Sequence, residues 1–196
     1  MRTRNTDKEA LVKEKAIELI VQQGFDGFSM NKLAKASGIS VATLYIYYQD
    51  KDDLIKKIGI EVGEGFFKGA LLGFNPDMAF AEGLRLQWDN RIAYTLGNKE
   101  AMQCWDALRH SPHNEYILQH AKANFKEVLG KFIKNAIQNG QLVQLPFEVF
   151  WAIAYGPLYT LLKFESEGKS IGGSTFTLTE AIKEAAFKSV IKALTP

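Results

Sequence analysis

A chain of 196 residues, 46% hydrophobic and 23% charged, can bury a real core as one larger domain or two small ones. Its single cysteine, Cys104, excludes an intramolecular disulfide and suits a reducing cytoplasm. The net charge of +2 is modest but unevenly placed: residues 1–57 carry 10 Lys+Arg against 8 Asp+Glu, and the rest of the chain is balanced.

The opening "MRTRNTDKEALVKEK" has basic residues with no apolar stretch behind them, so it does not read as a signal peptide. A first helix is expected after Thr6 or Asp7, with Val12, Ala16, Leu19 and Ile20 on one face and a stop at Gly24. After the turn "FDGF", Ser29 caps a short helix that carries Met30, Leu33 and Ala34 inward. Gly38 ends that helix, Ser40 caps the next, and Asp50 caps a fourth that runs through Leu54, Ile55 and Ile58.

Further along, Asn75-Pro76 and Ser111-Pro112 read as caps followed by proline at the first helical position. "TLTE", residues 177–180, has the spacing of a capping box between Thr177 and Glu180. Helical patterns lie between these signals: Ala81, Leu84, Trp88, Ile92; then Ala121, Phe125, Val128, Phe132; then Phe147, Phe150, Trp151, Ala154, Leu158. Residues 145–164, "LPFEVFWAIAYGPLYTLLKF", are the most apolar. Glu148, Lys163 and a central Pro157 leave fewer uncharged positions than the roughly 18 of a membrane span, so a buried helix is expected there. The fold class is all-α: a small head to about residue 50, joined by a helix to a larger body.

Two short helices meeting at Gly38 match a helix-turn-helix, whose second helix enters the DNA major groove. Ile39 and Leu44 are placed to pack on Leu33, which leaves Val41 and Ala42 outward, flanked by hydroxyls of Ser40, Thr43, Tyr45 and Tyr47. Small apolar side chains let a helix sink toward base edges and thymine methyls. Hydroxyls, helix-start amides and Lys51 suit phosphate oxygens. Spacing alone leaves a second reading open, in which the tyrosines are packing residues of an ordinary helical turn.

"FSMNKLAKASGISVATLYIYYQDKDDLI" closely resembles the DNA-binding head of TetR-family transcriptional repressors. The shared pattern is a hydroxyl-capped helix, then A-x-x-x-G-[IV]-S, then x-[AG]-T-[LI]-Y-x-[HYF]-[FY], then an acidic or polar residue, Lys and an acidic-Leu pair. The resemblance covers residues 6–58. It implies a helix-turn-helix domain over residues 1–50 and a connecting helix from near 51. Residues 51–196 would then form a helical effector-binding and dimerisation domain. It further implies a double-stranded palindromic operator, a homodimer, release of DNA by a small-molecule effector, no cofactor, no catalytic residues and a cytoplasmic protein. Carried over by position, Val41 and Ala42 meet base edges, while Thr43, Tyr45, Tyr47 and Lys51 hold phosphates. Ser29 sits at the phosphate-facing start of the second helix, and Asn31 approaches a base. Position 41 often holds a polar or charged residue in this family and here holds Val. Shape, methyl contacts and an arm with Arg2 and Arg4 are therefore expected to carry more of the specificity.

The body's aromatic residues are first of all a core. The candidates to line an effector pocket are Trp88, Trp105, Arg109, Phe125, Trp151 and Tyr155. Asp89, Arg91, Asp106 and Asn124 could supply further polar groups where they point inward. The apolar faces of residues 146–168 and 178–194 are wider than a one-sided core needs, so these last two helices are expected to form the dimer. Glycines at 59, 63, 65, 69 and 73 suggest close packing in a helix soft enough to transmit movement. His110, His113 and His120 lie close together but lack metal-ligand spacing, so no metal site is expected. Two alternatives stand: an all-α metal-binding or ferritin-like protein, and a helix-turn-helix protein without an effector.

Overall fold

The computed structural model describes residues 6–196, leaving aside the side chains of Thr6, Ala123 and Asn124. The Arg2/Arg4 arm and the side chain of Asn124 lie outside the described residues. The helices, in chain order, are α1 (Thr6–Gly27), α2 (Met30–Ala36), α3 (Val41–Tyr47), α4 (Lys51–Ala70), α5 (Phe80–Gly97), α6 (Lys99–Arg109), α7 (Asn114–Ala121), α8 (Ala123–Gln138), α9 (Phe147–Glu167) and α10 (Glu180–Leu194). An isolated bridge, Lys169 to Thr175, closes the loop after α9. Among the described residues no helix is long and apolar enough to cross a membrane.

The chain divides into two compact units: residues up to Phe67 together with Gly97–Ala123, and Lys68–Leu96 together with Asn124–Pro196. The first unit therefore takes in most of α4, α6 and α7 besides the three helices of the head.

In the first unit α1 breaks at Gly24, whose φ of 66° and ψ of 179° interrupt the helix where the sequence predicts a stop. Val12, Ala16 and Ile20 of α1 share a core with Leu33, Leu44, Leu54, Ile58, Trp105 and Ile117. The helix glycines allow close approach. A Cβ at Gly63 would lie 2.7 and 2.8 Å from carbons of the Trp105 ring and 2.8 Å from Cβ of Ala121, and one at Gly59 would strike Ile117. Trp105 also meets Phe67 edge-on at 6.1 Å between ring centroids.

In the second unit Phe80, Leu84 and Trp88 of α5 are buried with Phe132 of α8, Phe150 and Leu158 of α9, and Phe187 and Val190 of α10. Trp88 donates Nε1–H to the Ala154 carbonyl at 2.8 Å and meets Phe187 edge-on, which ties α5 to α9 and α10. Arg85 pairs with Glu184, and Lys183 with Asp89 at 3.0 Å, fixing α10 to α5 from the polar side. Of the expected inward residues, Ala81 and Phe147 are exposed.

Three expected helix starts lie elsewhere, two of them for one shared reason. Asn75 accepts the Asp77 N–H at 2.9 Å, making a turn, and α5 begins only at Phe80. Ser111 accepts the His113 N–H at 3.2 Å, and α7 begins at Asn114. The cap of α10 is Thr179, which takes the Ile182 N–H at 3.3 Å, so Glu180 is the first helical residue instead of the partner of Thr177. Short polar side chains bond the amide two residues on as readily as they cap a helix.

Candidate functional site

The Gly38 turn is built from local hydrogen bonds. Ser29 Oγ accepts the Lys32 N–H at 3.3 Å and starts α2. At its end Ile39 N–H reaches the Ala34 carbonyl (3.0 Å) and Gly38 N–H the Lys35 carbonyl (3.3 Å). This reciprocal closure needs a left-handed residue, and Gly38 has φ 64°. Ser40 Oγ then accepts the Thr43 N–H at 3.1 Å and lies 2.8 Å from the Thr43 hydroxyl. The start of α4 is fixed twice: Asp50 takes the Asp53 N–H (2.8 Å), and Asp53 reaches back to the Gln49 N–H (2.8 Å).

These bonds set which side of α3 faces out. Leu44, Tyr47 and Tyr48 are buried at i, i+3 and i+4, so Ala42, Tyr45 and Ile46 occupy the opposite face. Tyr45 is 53% and Ile46 62% exposed. Val41 is half-buried against the core and Thr43 half-buried beside Ser40, while Ser40 and Asn31 are exposed.

Two residues differ from their expected placement. Tyr47 does not lie on the exposed side: it is only 9% exposed, because it follows Leu44 by three positions and packs with it. Lys51 is bound within the unit, its Nζ donating to the Phe25 carbonyl at 2.6 Å and lying 5.9 Å from the Phe28 ring centroid. Lys32 and Lys57 are anchored in the same way, on the carbonyls of Gly27 (2.7 Å) and Tyr47 (3.2 Å). Carbonyls at helix ends thus hold three cations in place around the two short helices. Ile46 is absent from the sequence-based set, although its spacing of four from Ala42 puts it on the same face.

The expected effector residues do not form one group. Trp105 is core of the first unit and Arg109 is exposed on it, whereas Trp88, Phe125, Trp151 and Tyr155 belong to the second unit. Periodicity shows which helix face is apolar but not which unit the helix joins. Within the second unit Trp151 stacks tilted on Tyr155 at 4.6 Å and meets Phe125 edge-on at 6.2 Å.

Beside these rings runs a buried polar seam that the sequence marks only through Arg91. Gln87 and Arg91 of α5 are fully buried. Arg91 Nη1 donates to the Gln87 carbonyl and to Gln87 Oε1, both at 3.0 Å, and Arg91 Nε donates to the Tyr159 hydroxyl at 3.2 Å. Tyr155 donates its hydroxyl to Gln87 Oε1 at 2.8 Å, and burial pushes that phenol up to about 12. The guanidinium lies 4.3 Å from the Tyr155 ring centroid and 5.6 Å from that of Phe125. Asp89 is taken up by Lys183, and Asp106 is exposed on the first unit.

The histidines have ordinary partners: His120 Nδ1 is 2.8 Å from the Tyr116 carbonyl and His113 Nε2 is 3.5 Å from Asp52. Among the described residues no group of three or more His, Cys, Asp or Glu is placed to hold a metal.

Comparison with known proteins agrees with the turn geometry. Residues 12–58 match the model for bacterial regulatory proteins of the tetR family. An uncharacterized HTH-type transcriptional regulator of Haemophilus influenzae is 26% identical over 194 residues, 99% of each chain. The crystal structure of a TetR family transcription regulator from Marinobacter aquaeolei is similar with a TM-score of 0.82 and 28% identity, over 99% of this chain and 98% of that one. A TetR-family regulator from Haemophilus influenzae shares the fold with a TM-score of 0.79 at 22% identity, over 100% of both chains. The hydroxyl-capped helices and the left-handed Gly38 between them lie within the stretch that matches the tetR family, so residues 12–58 form a tetR-family DNA-binding helix-turn-helix, and the chain is similar over nearly its whole length to TetR-family transcription regulators.

Proposed function

We propose that the protein is a cytoplasmic homodimeric repressor that holds a palindromic operator and leaves it when a small apolar or aromatic effector enters the second unit. The observation that carries this reading is the outer surface of α9 and α10. Phe187, Val190 and Leu194 face the unit's own core, while Ala185 is exposed and Ile182, Ala186 and Ile191 are half-buried. On α9, Val149 and Ala152 are exposed and Ile153 and Gly156 half-buried. Small and aliphatic side chains left uncovered on two neighbouring helices suit a self-complementary, two-fold contact. Two copies of α3 then meet two half-sites of one duplex. Ala42, Tyr45 and Ile46 face the groove, and the caps of α2 and α3 face phosphates.

The test is selection of duplexes from a random pool by the purified protein, with sedimentation of the free protein alongside. Two-fold symmetric sites, with half-sites about 34–36 Å apart, are expected. The free protein should sediment as a dimer at micromolar concentration. Ala42→Leu should lose preference for the selected site while keeping salt-sensitive binding to any DNA. Selected sites without a dyad, or a monomer, would refute the arrangement.

A further inference from the structure

We infer that the second unit binds an organic monocarboxylate, with Arg91, Gln87 and Thr95 receiving its head group and the neighbouring aromatic side chains its apolar body. The inference rests on the proposed effector role of this unit and names the effector's chemical class. Gln87, Arg91 and Thr95 follow one another at four-residue spacing and therefore share one face of α5, a stripe about 12 Å long at the rise of an α-helix. After the internal hydrogen bonds are made, Arg91 Nη2, Gln87 Nε2 and Thr95 Oγ1 are buried and have no partner among the described residues. Gln87 Oε1, the carbonyl oxygen of this group, already accepts from both Arg91 and Tyr155. What remains is a surplus of N–H donors, one hydroxyl and one positive charge.

A guanidinium does not shed its proton, so burial cannot be relieved by neutralisation. Among the described residues no carboxylate pairs with Arg91, and its companions are neutral: the amide and backbone carbonyl of Gln87, the phenol of Tyr159 and the faces of Tyr155 and Phe125. A buried cation without an anion is costly, and leftover unbonded donors in a low-dielectric interior add to that cost. Water can accept from the leftover donors but brings no charge. A carboxylate brings both: its two oxygens accept several N–H bonds, and it cancels one charge. One cation without a second among the described partners of this seam suits a monoanion better than a phosphate dianion, and Lys183 of the same unit is already held by Asp89 and Glu180. Phe125, Trp151 and Tyr155 then give an aromatic bed for the rest of the molecule. Thr95 and Tyr159, both half-buried, mark the end of the stripe nearest solvent.

The experiment uses the full chain, dialysed free of small molecules, at constant pH and ionic strength. The probes are acetate, phenylacetate and decanoate, with phenylacetamide and chloride as controls, read by melting temperature and tryptophan fluorescence. At least one of the carboxylates should raise the melting temperature and change the emission in a saturable way, phenylacetate at least tenfold more tightly than its amide. Arg91→Met should weaken the acid at least tenfold, and should melt no lower than the parent because a buried unpaired charge is gone. Thr95→Val, which keeps Arg91, should weaken the acid several-fold and guards against a folding defect in the first variant. No response to any carboxylate, equal binding of acid and amide, or an undiminished response in both variants would overturn the inference. Operator release is measured separately: an acid that binds through Arg91 yet leaves the operator occupied would sustain the site and refute the effector role.

Discussion

Replacing Gly63 by alanine sets two opposing effects against each other inside α4. Alanine gains about 1 kcal/mol of helix propensity over glycine. Against this, the new Cβ would stand 2.7–2.8 Å from two ring carbons of Trp105 and from Cβ of Ala121, when carbon atoms prefer about 3.5–4.0 Å. Neither neighbour can yield easily: Trp105 is only 6% exposed and wedged against Phe67, and the Ala121 Cβ is fixed to its backbone. Against two groups that cannot yield, overpacking lies in the upper part of its usual range, about 2–3 kcal/mol, so the steric effect wins by about 1–2 kcal/mol. For a chain of this length the melting temperature should fall by about 2–8 °C. Gly130 of α8 is the control, being exposed with nothing within 4 Å of its added Cβ. Gly130→Ala should raise the melting temperature by about 2–4 °C. Circular dichroism melts at matched protein concentration decide the matter, since self-association also shifts the midpoint. A Gly63→Ala variant melting at or above the parent would show that α4 is free to move away from α6 and α7, and that the glycine serves flexibility.

Tyr45→Ala should weaken DNA binding while moving stability by less than about 0.5 kcal/mol, whereas Tyr47→Ala should cost about 3–5 kcal/mol as a large buried deletion; melts and fluorescence anisotropy on the same samples separate them. Lys51→Ala removes the bond to the Phe25 carbonyl and should cost about 1 kcal/mol of stability. It should also lower the salt slope of DNA binding by about one unit; an unchanged slope in binding titrations would leave Lys51 a purely structural strap. Burial pushes the Cys104 thiol up to about 12 from 9.0, so the folded state favours the protonated form. Its contribution is then intact below about pH 9 and lost as pH rises from 9 toward 12. Iodoacetamide at pH 8 should leave the native thiol unmodified, and Cys104→Ala should flatten the alkaline loss of stability above pH 9.

The head is legible in the sequence because its geometry is local. Ser29, Ser40 and Asp50 each bond an amide three residues on, and Gly38 and Ile39 close α2 with bonds to the carbonyls of Lys35 and Ala34. Every partner lies within five residues, so the residue types at that spacing carry the structure with them. The same chemistry misleads elsewhere: Asn75 and Ser111 meet amides two residues away and make turns, and only the surrounding packing decides between the two outcomes. The Tyr47 hydroxyl suits an outward position, but its spacing of three from Leu44 buries it. The body is legible only as helical, because its buried polar seam depends on partners far apart in the chain. Gln87 and Tyr155 are 68 positions apart, as are Arg91 and Tyr159. Neither distance nor spacing marks those pairs, and no one-helix pattern separates an arginine on the surface from Arg91 in the interior. What does mark Arg91 is the hydrogen-bond ledger of the folded unit, in which the donors outnumber the acceptors. Short-range rules thus describe the helix-turn-helix, whose bonds close within five residues, and long-range complementarity describes the buried polar seam of the second unit.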